Sequence, residues 1–271
     1  MTVLVTGATG LVGTRLVKRL IDADVDVRAL VRPGKTVPHG VVIVEGDLLD
    51  PATLPAAVTG VDAVIHLAAV LRTPYPQDIT RANVEGTANL ITAVSEHAPN
   101  ARVIMASTGL VYAADLPHPA REDDPTTAPM PYPASKVIAE QSLRESGLTW
   151  SILRFAFVYG DGDGHLQSAP ELLGRWNWHP AATLSLIHHR DIAGAILLAL
   201  DGAMDNKVVN LTDDAPATVA EIARVVGADY PESNKPLENP WNGHLDGTLA
   251  RELGFIPTMR SMYQAAAADA L

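Results

Sequence analysis

The chain of 271 residues contains no cysteine, which excludes disulfides and thiolate chemistry and removes any argument for an oxidising compartment. It is also short of positive charge. Against 31 Asp and Glu there are 20 Lys and Arg, a formal net charge of −11, which argues against a general nucleic-acid or anionic-membrane surface. No basic stretch precedes the first apolar residues, so the start does not read as a secretory leader. Long apolar runs are missing too: a stretch such as IAGAILLAL (192–200) falls short of the roughly 20 residues a membrane span needs. These absences leave a soluble, cytoplasmic protein with a small-molecule partner as the expectation.

What is present is an alternation. The runs 3–7, 25–32, 41–47, 62–69, 101–107 and 150–158 are β-branched and apolar and read as strands. Between them, 11–23, 51–59, 81–97 and 134–146 carry helical spacing. Nearly continuous apolar strands separated by helices predict an α/β fold, a doubly wound parallel sheet with helices on both faces. Beyond residue 158 the pattern loosens into GDGDG, GRWNWHP and PESNKPLENPWNG, interrupted by a helix at 190–200 and a strand at 208–212. The predicted organisation is a dinucleotide-binding domain over 1–158 with 188–212 returning to it. A small C-terminal subdomain over 159–187 and 213–271 would bind substrate.

The first strand runs straight into TGATGLVG (6–13), three glycines at a spacing of three, followed by an amphipathic helix. In that context Gly7 permits a tight turn, Gly10 lets backbone approach a pyrophosphate, and Gly13 lets the helix pack close to the strand. The helix start then offers unpaired N–H groups to phosphate, from the region of Thr9, Leu11 and Val12. At the end of the second strand, where an acid would hold the ribose hydroxyl of NAD, stand Arg32 and then Lys35. NADP is therefore expected over NAD. Further on, YPASK (132–136) puts Tyr132 and Lys136 four apart at a helix start, on one face. An ammonium one turn away is expected to lower the phenol pKa, letting Tyr132 protonate a carbonyl or deprotonate an alcohol.

These motifs together resemble the extended short-chain dehydrogenase/reductase family, also described as the NAD-dependent epimerase/dehydratase family, over nearly the whole length. GDLLD contributes Asp47 and Leu48, which the resemblance sets beside the adenine. HLAA contributes Leu67, Ala68 and Ala69, which would pass under the cofactor, and NVEGT contributes a structural Asn83. STGLVY matches the strand end with the active-site hydroxyl, falling on Thr108 with Ser107 beside it. LRFAFVYGDG, HHRDIA and LARELGFIPT match later landmarks, with His188 and Asp191 in positions that are usually structural. The resemblance implies a Rossmann fold and a homodimer. It further implies that Thr108 bonds the substrate oxygen, Tyr132 exchanges its proton, and Lys136 holds the nicotinamide ribose.

The departures matter as much. Nucleotide-sugar dehydratases of the family follow the active-site Thr with Asp-Glu; here Gly109 and Leu110 follow Thr108. Where nucleotide-sugar members carry a diphosphate-contacting Asn stands Phe157, which cannot make that bond. Arg175, Arg251 and Arg260 are scattered, the last two in segments that read as helix surface. Trp176 and Trp178 read equally as the lining of a small apolar substrate pocket or as core of the small subdomain. His165 and His179 lack partners at metal-ligand spacing, so no metal site is expected. The expectation is an NADP(H)-dependent reductase or dehydrogenase of a small ketone or secondary alcohol. A sugar or nucleotide-sugar epimerase on tightly held NAD and a non-catalytic dinucleotide sensor are the alternatives.

Overall fold

The computed structural model describes residues 1–128 and 130–271. In chain order its first half runs β1 (Thr2–Thr6), α1 (Leu11–Asp22), β2 (Asp26–Val31), β3 (Val42–Glu45), α2 (Leu54–Val58), β4 (Ala63–His66), α3 (Pro76–Thr80), α4 (Gly86–His97) and β5 (Arg102–Thr108). The second half runs α5 (Pro131–Arg144), β6 (Trp150–Phe155), β7 (Phe157–Tyr159), α6 (His165–Arg175), β8 (Thr183–Leu184), β9 (Leu186–His188), α7 (His189–Leu200), β10 (Lys207–Leu211), β11 (Ala217–Thr218), α8 (Val219–Val226), α9 (Thr248–Glu252) and α10 (Met262–Ala267).

Seven strands form a parallel sheet in the order β10-β6-β5-β4-β1-β2-β3. Strand order therefore reverses between β1 and β4, and in such sheets the crevice beyond the carboxyl ends of those strands is the ligand site. The sheet is apolar on both sides because each side buries helices. Leu16, Val17 and Leu20 of α1 and Ile192, Ala195, Ile196 and Ala199 of α7 belong to one core cluster. Leu54, Leu90, Val94, Ala139 and Leu143, from α2, α4 and α5, belong to the other. A third cluster gathers Tyr159, Leu166, Leu173, Leu184, Ile222 and Met262 around α6, α8 and α10. Leu245, Ala250 and Phe255, from the segment after 213, pack instead with the first sheet core. Among the described residues no helix is long and apolar enough to cross a membrane.

Two elements differ from the sequence pattern. The run 150–158 is two strands, because the chain changes partner: Ala156 N still donates to Leu211 of β10, whereas Phe157 N donates to Ser185 O. The helix expected at 81–97 starts earlier, at Pro76, and passes through a π-helical turn at Arg81–Glu85 before α4. The extra residue of that turn brings Asn83 inward, where its side chain bonds the Val70 N–H and C=O at 2.7 and 3.0 Å.

Candidate functional site

The glycine turn lies at the switch point between β1 and β4. Gly7 has φ +74, and a Cβ there would stand 2.6 Å from the Ala68 nitrogen, so the turn and the 67–69 loop touch backbone to backbone. A Cβ at Gly13 would sit on the Gly7 carbonyl. Gly10 is the N-cap of α1 and offers no side chain to cap it, and the first turn of α1 carries no acid. Its leading N–H groups, at Leu11 and Val12, are left for an anion, and Thr9, Gly10 and Leu11 are exposed at the rim. This is a cradle that fits a dinucleotide pyrophosphate. Leu67 and Ala68 are partly buried and Ala69 is exposed beside it. Arg32 and Lys35 are exposed in the turn after β2, with Lys35 N bonded to Arg32 O. Asp47 spends one carboxylate oxygen on the Leu49 N–H at 2.9 Å, and Leu48 O accepts from Asn89.

Under this cradle runs a buried chain of hydrogen bonds. Thr87 donates its hydroxyl to Asn83 O, so the 2.9 Å contact between Thr87 and His66 Nε2 requires an Nε2–H donor. His66 Nδ1 then accepts from the Thr6 hydroxyl at 2.7 Å. Burial, reinforced by the nearby Lys136 charge, holds the His66 pKa down to about 3, so this ring is a neutral spacer. Asn83 continues the chain to Ser135 Oγ at 2.9 Å, and Ser135 donates to the Tyr132 carbonyl at 2.6 Å.

The proposed chemistry gathers where β5 ends against α5. Thr108 accepts the Leu110 N–H at 3.2 Å through its hydroxyl oxygen, which leaves the hydroxyl proton free to donate. Tyr132 lies in the first turn of α5, with Lys136 one turn on and buried at 3% exposure. Burial lowers the Lys136 pKa to about 8, against the pull of Glu140. The sequence expectation for Tyr132 needs correcting. Its pKa is pushed up to about 12, not lowered, because burial disfavours the phenolate more than anything nearby favours it. The phenol is a firmly held proton. Ser107 turns its hydroxyl onto Glu140 at 2.5 Å, and Glu140 in turn pairs with Arg154 of β6 at 2.7 Å. The sequence reading missed this pair. Its signals were present: a carboxylate four residues after Lys136, and an arginine inside the apolar strand ILRF.

The remaining residues are dispersed. Phe157 is partly buried and stacks on His165, ring centroids 4.3 Å apart. Trp178 packs against the third core cluster, its ring edge where a Cβ of Gly243 would be, whereas Trp176 is 47% exposed. Asp191 accepts from Thr258 and Met259 backbone N–H groups, and His188 bonds Ala270 O at 2.8 Å. Arg251 and Arg260 both pair with Asp214, the second from the turn before α10 and not from a helix. Arg175 is exposed and pairs with Glu171. Among the described residues no group of three or more His, Asp or Glu is placed to hold a metal.

Comparison with known proteins shows the family and the fold. The profile of the NAD dependent epimerase/dehydratase family matches residues 3–212. A 3-diazoavenalumate denitrifying reductase from a Streptomyces species is 31% identical over 86% of this chain and 84% of its own. A UDP-glucose 4-epimerase from Azospirillum brasilense is 35% identical over 58% of this chain and 49% of its own. Among solved structures, a short-chain dehydrogenase/reductase superfamily protein from Agrobacterium tumefaciens with bound NAD superposes with TM-score 0.80. It is 27% identical, over 99% of this chain and 97% of that one.

Proposed function

The chain belongs to the NAD dependent epimerase/dehydratase family, and from that premise we propose that it is an NADP(H)-dependent reductase or dehydrogenase of a small ketone or secondary alcohol. One observation carries this reading. Tyr132, a phenol kept protonated by burial, lies one helical turn from a buried Lys136 on α5, the helix that packs against β5, whose last residue is Thr108. Thr108 and Tyr132 would share the substrate oxygen, Thr108 by a hydrogen bond and Tyr132 by its proton. A nicotinamide held in the cradle would supply or accept the hydride. In the reducing direction the carbonyl oxygen would take the Tyr132 proton as the carbon is reduced. Lys136 would stabilise the phenolate that remains until water restores its proton, and would hold the nicotinamide ribose. Gly7, Gly10 and the α1 start would hold the pyrophosphate, with Asp47 and Leu48 at the adenine and 67–69 beneath.

Dehydration lacks support at this position, since Gly109 and Leu110 follow Thr108 and Leu245 Cδ1 lies 2.8 Å from where a Cβ of residue 109 would be. Arg32 and Lys35, with no acid at the end of β2, favour NADP. The reading includes a division of labour between a dinucleotide-binding part (1–158 with 188–212) and a substrate-binding part (159–187 and 213–271). Ser107, Phe157, Trp176 and Trp178 are its candidates for contacting substrate, although the Ser107 hydroxyl is turned onto Glu140. It also includes a cytoplasmic homodimer through α4 and α5, where Ile138, 50% exposed on α5, would be an apolar contact.

The test is to denature the purified protein, identify any released dinucleotide, and titrate the emptied protein with NADPH and NADH. An empty site preferring NADPH tenfold, about 1.4 kcal/mol, supports the exchanging reductase. Stoichiometric NAD that resists exchange favours the epimerase reading, which the similarity to a UDP-glucose 4-epimerase keeps in view, and sinks the role given to Arg32.

A further inference from the structure

We propose that Glu140 is a positioning residue for Lys136: its carboxylate, held back by Ser107 and Arg154, supplies the counter-charge of the ammonium without capturing it. This rests on the reading of Lys136 as part of the site.

Lys136 and Glu140 are four apart on α5, side chains about 6 Å apart at their bases, and they are 3% and 2% exposed. Two opposite charges so placed and shielded from water ordinarily close into an ion pair. Here they do not, and among the described residues Lys136 takes part in no salt bridge; Glu140 pairs with Arg154 and Arg144 instead. The reason is saturation. A carboxylate has about four lone-pair positions. Glu140 Oε1 accepts from Ser107 Oγ at 2.5 Å and Arg154 Nε at 3.1 Å; Oε2 accepts from Arg154 Nη2 at 2.7 Å and Arg144 Nη2 at 3.2 Å.

Arg154 is fixed in turn. Its Nη1 donates to Tyr112 Oη at 2.8 Å and Glu122 O at 3.2 Å, and its guanidinium lies 4.8 Å over the Tyr112 ring. Tyr112 donates to Asn210 Oδ1 on the edge strand at 2.7 Å. The carboxylate is thereby locked to β5 and β6. Were it free to reach Lys136, the ammonium would be drawn along the helix, one turn away from Tyr132. Locked, it offers only its field. Among the described residues Glu140 supplies the charge that holds the Lys136 ammonium against burial, while Tyr132 on α5 and His66 from β4 are neutral. If Glu140 lost its charge, burial would act on the ammonium unopposed, and the lysine would shed its proton at lower pH.

The test is a titration of Lys136 itself. The chain has five lysines, so protein labelled with carbon-13 at lysine Cε gives five titrating signals, and Lys136→Arg identifies the one of interest. In the unmodified protein this signal is expected to titrate below the other four. In Glu140→Gln it moves down by about one pH unit or more, while Glu140→Asp returns most of the way. Ser107→Ala frees one acceptor position and moves the signal up. An unshifted Lys136 in Glu140→Gln, or a signal that does not rise in Ser107→Ala, overturns the proposal. Should Glu140→Gln fail to fold, because it strands Arg154, the double variant Glu140→Gln with Arg154→Gln removes both charges. A downward shift is again expected, and none overturns the idea. The site reading is judged on a different instrument: Lys136→Met that binds NADPH as tightly as the unmodified protein would dismiss it, whatever the titration says.

Discussion

Lys136 is an expensive residue. A charge at 3% exposure, with no ion-pair partner among the described residues, is one that folding must strip of water. Its lowered pKa, about 8 against an ordinary 10.5, says that the folded chain disfavours the ammonium. For a cation lowered in this way, the penalty is full below pH 8 and is relieved as pH rises towards the unfolded value. Lys136→Met should therefore abolish turnover and yet raise stability at pH 7, by up to about 3 kcal/mol at 1.36 kcal/mol per pKa unit. Urea unfolding checks it, and a destabilised Met variant would count against the burial argument. Tyr132→Phe removes only the proton. Against a panel of ketones and aldehydes with NADPH, it should lose about a hundredfold or more in rate, with the unfolding midpoint unmoved. Unchanged turnover would discard the mechanism. Because the ammonium discharges near pH 8, reduction by the unmodified protein should fall on the alkaline side of that value. Arg32, exposed after β2, makes a narrower claim. Arg32→Ala should weaken NADPH about tenfold and leave NADH unchanged; equal loss of both would make it a general contact.

At the scale of elements, the β1 turn and α1 divide their glycines between fold and ligand. A Cβ at Gly13 meets the Gly7 carbonyl and the Ala8 Cα, both backbone, so the helix must move off the strand. At Gly10 the nearest atom is the Gly7 oxygen at 3.2 Å, and its φ of −85 suits any residue. Gly13→Ala should thus cost about 1–3 kcal/mol of stability by overpacking. Gly10→Ala should keep stability within about 1 kcal/mol and lose dinucleotide affinity. Equal effects on both measurements would remove the distinction. These glycines were legible in the sequence because their duties are local, a turn and a helix start within one βαβ unit. So were the central strands, since burial on both sides makes them apolar throughout. The π-helical turn before α4 was not legible, because it answers to Val70, a loop that Asn83 meets only in space. Nor was the break at Ala156, where one continuous apolar run serves two sheets. The Glu140–Arg154 pair was missed: a carboxylate one turn after Lys136 and an arginine in an apolar strand stand in the sequence, but their meeting required α5 to lie along β5 and β6.

At the scale of the whole molecule, a chain of net charge −11 must bury some of its acids or let them repel. Charge counting located none of them. In the fold, Asp191 is satisfied by backbone donors at 258 and 259, which tie α7 to the segment before α10. Asp213, just past the edge strand, is different. It is 3% exposed, one oxygen accepts from Ala215, and the other is buried without a partner. Burial, with Asp214 and Asp191 adding repulsion and Arg251 only partly offsetting it, pushes its pKa up to about 8. The carboxyl is therefore protonated at neutral pH. A raised folded-state value means that its contribution to stability is fully present below the unfolded value, near 3.8, and is lost as pH rises through about 8. Between those limits the folded chain should lose stability with rising pH, against the gain from Lys136 that begins only above pH 8. Asp213→Asn keeps the acceptor for Ala215 and cannot ionise. Unfolding free energies measured from pH 5 to pH 9 should slope downward for the unmodified protein and less steeply for Asp213→Asn, the curves diverging most at the alkaline end. Parallel curves would mean that Asp213 reaches water in solution and carries its charge like any surface acid.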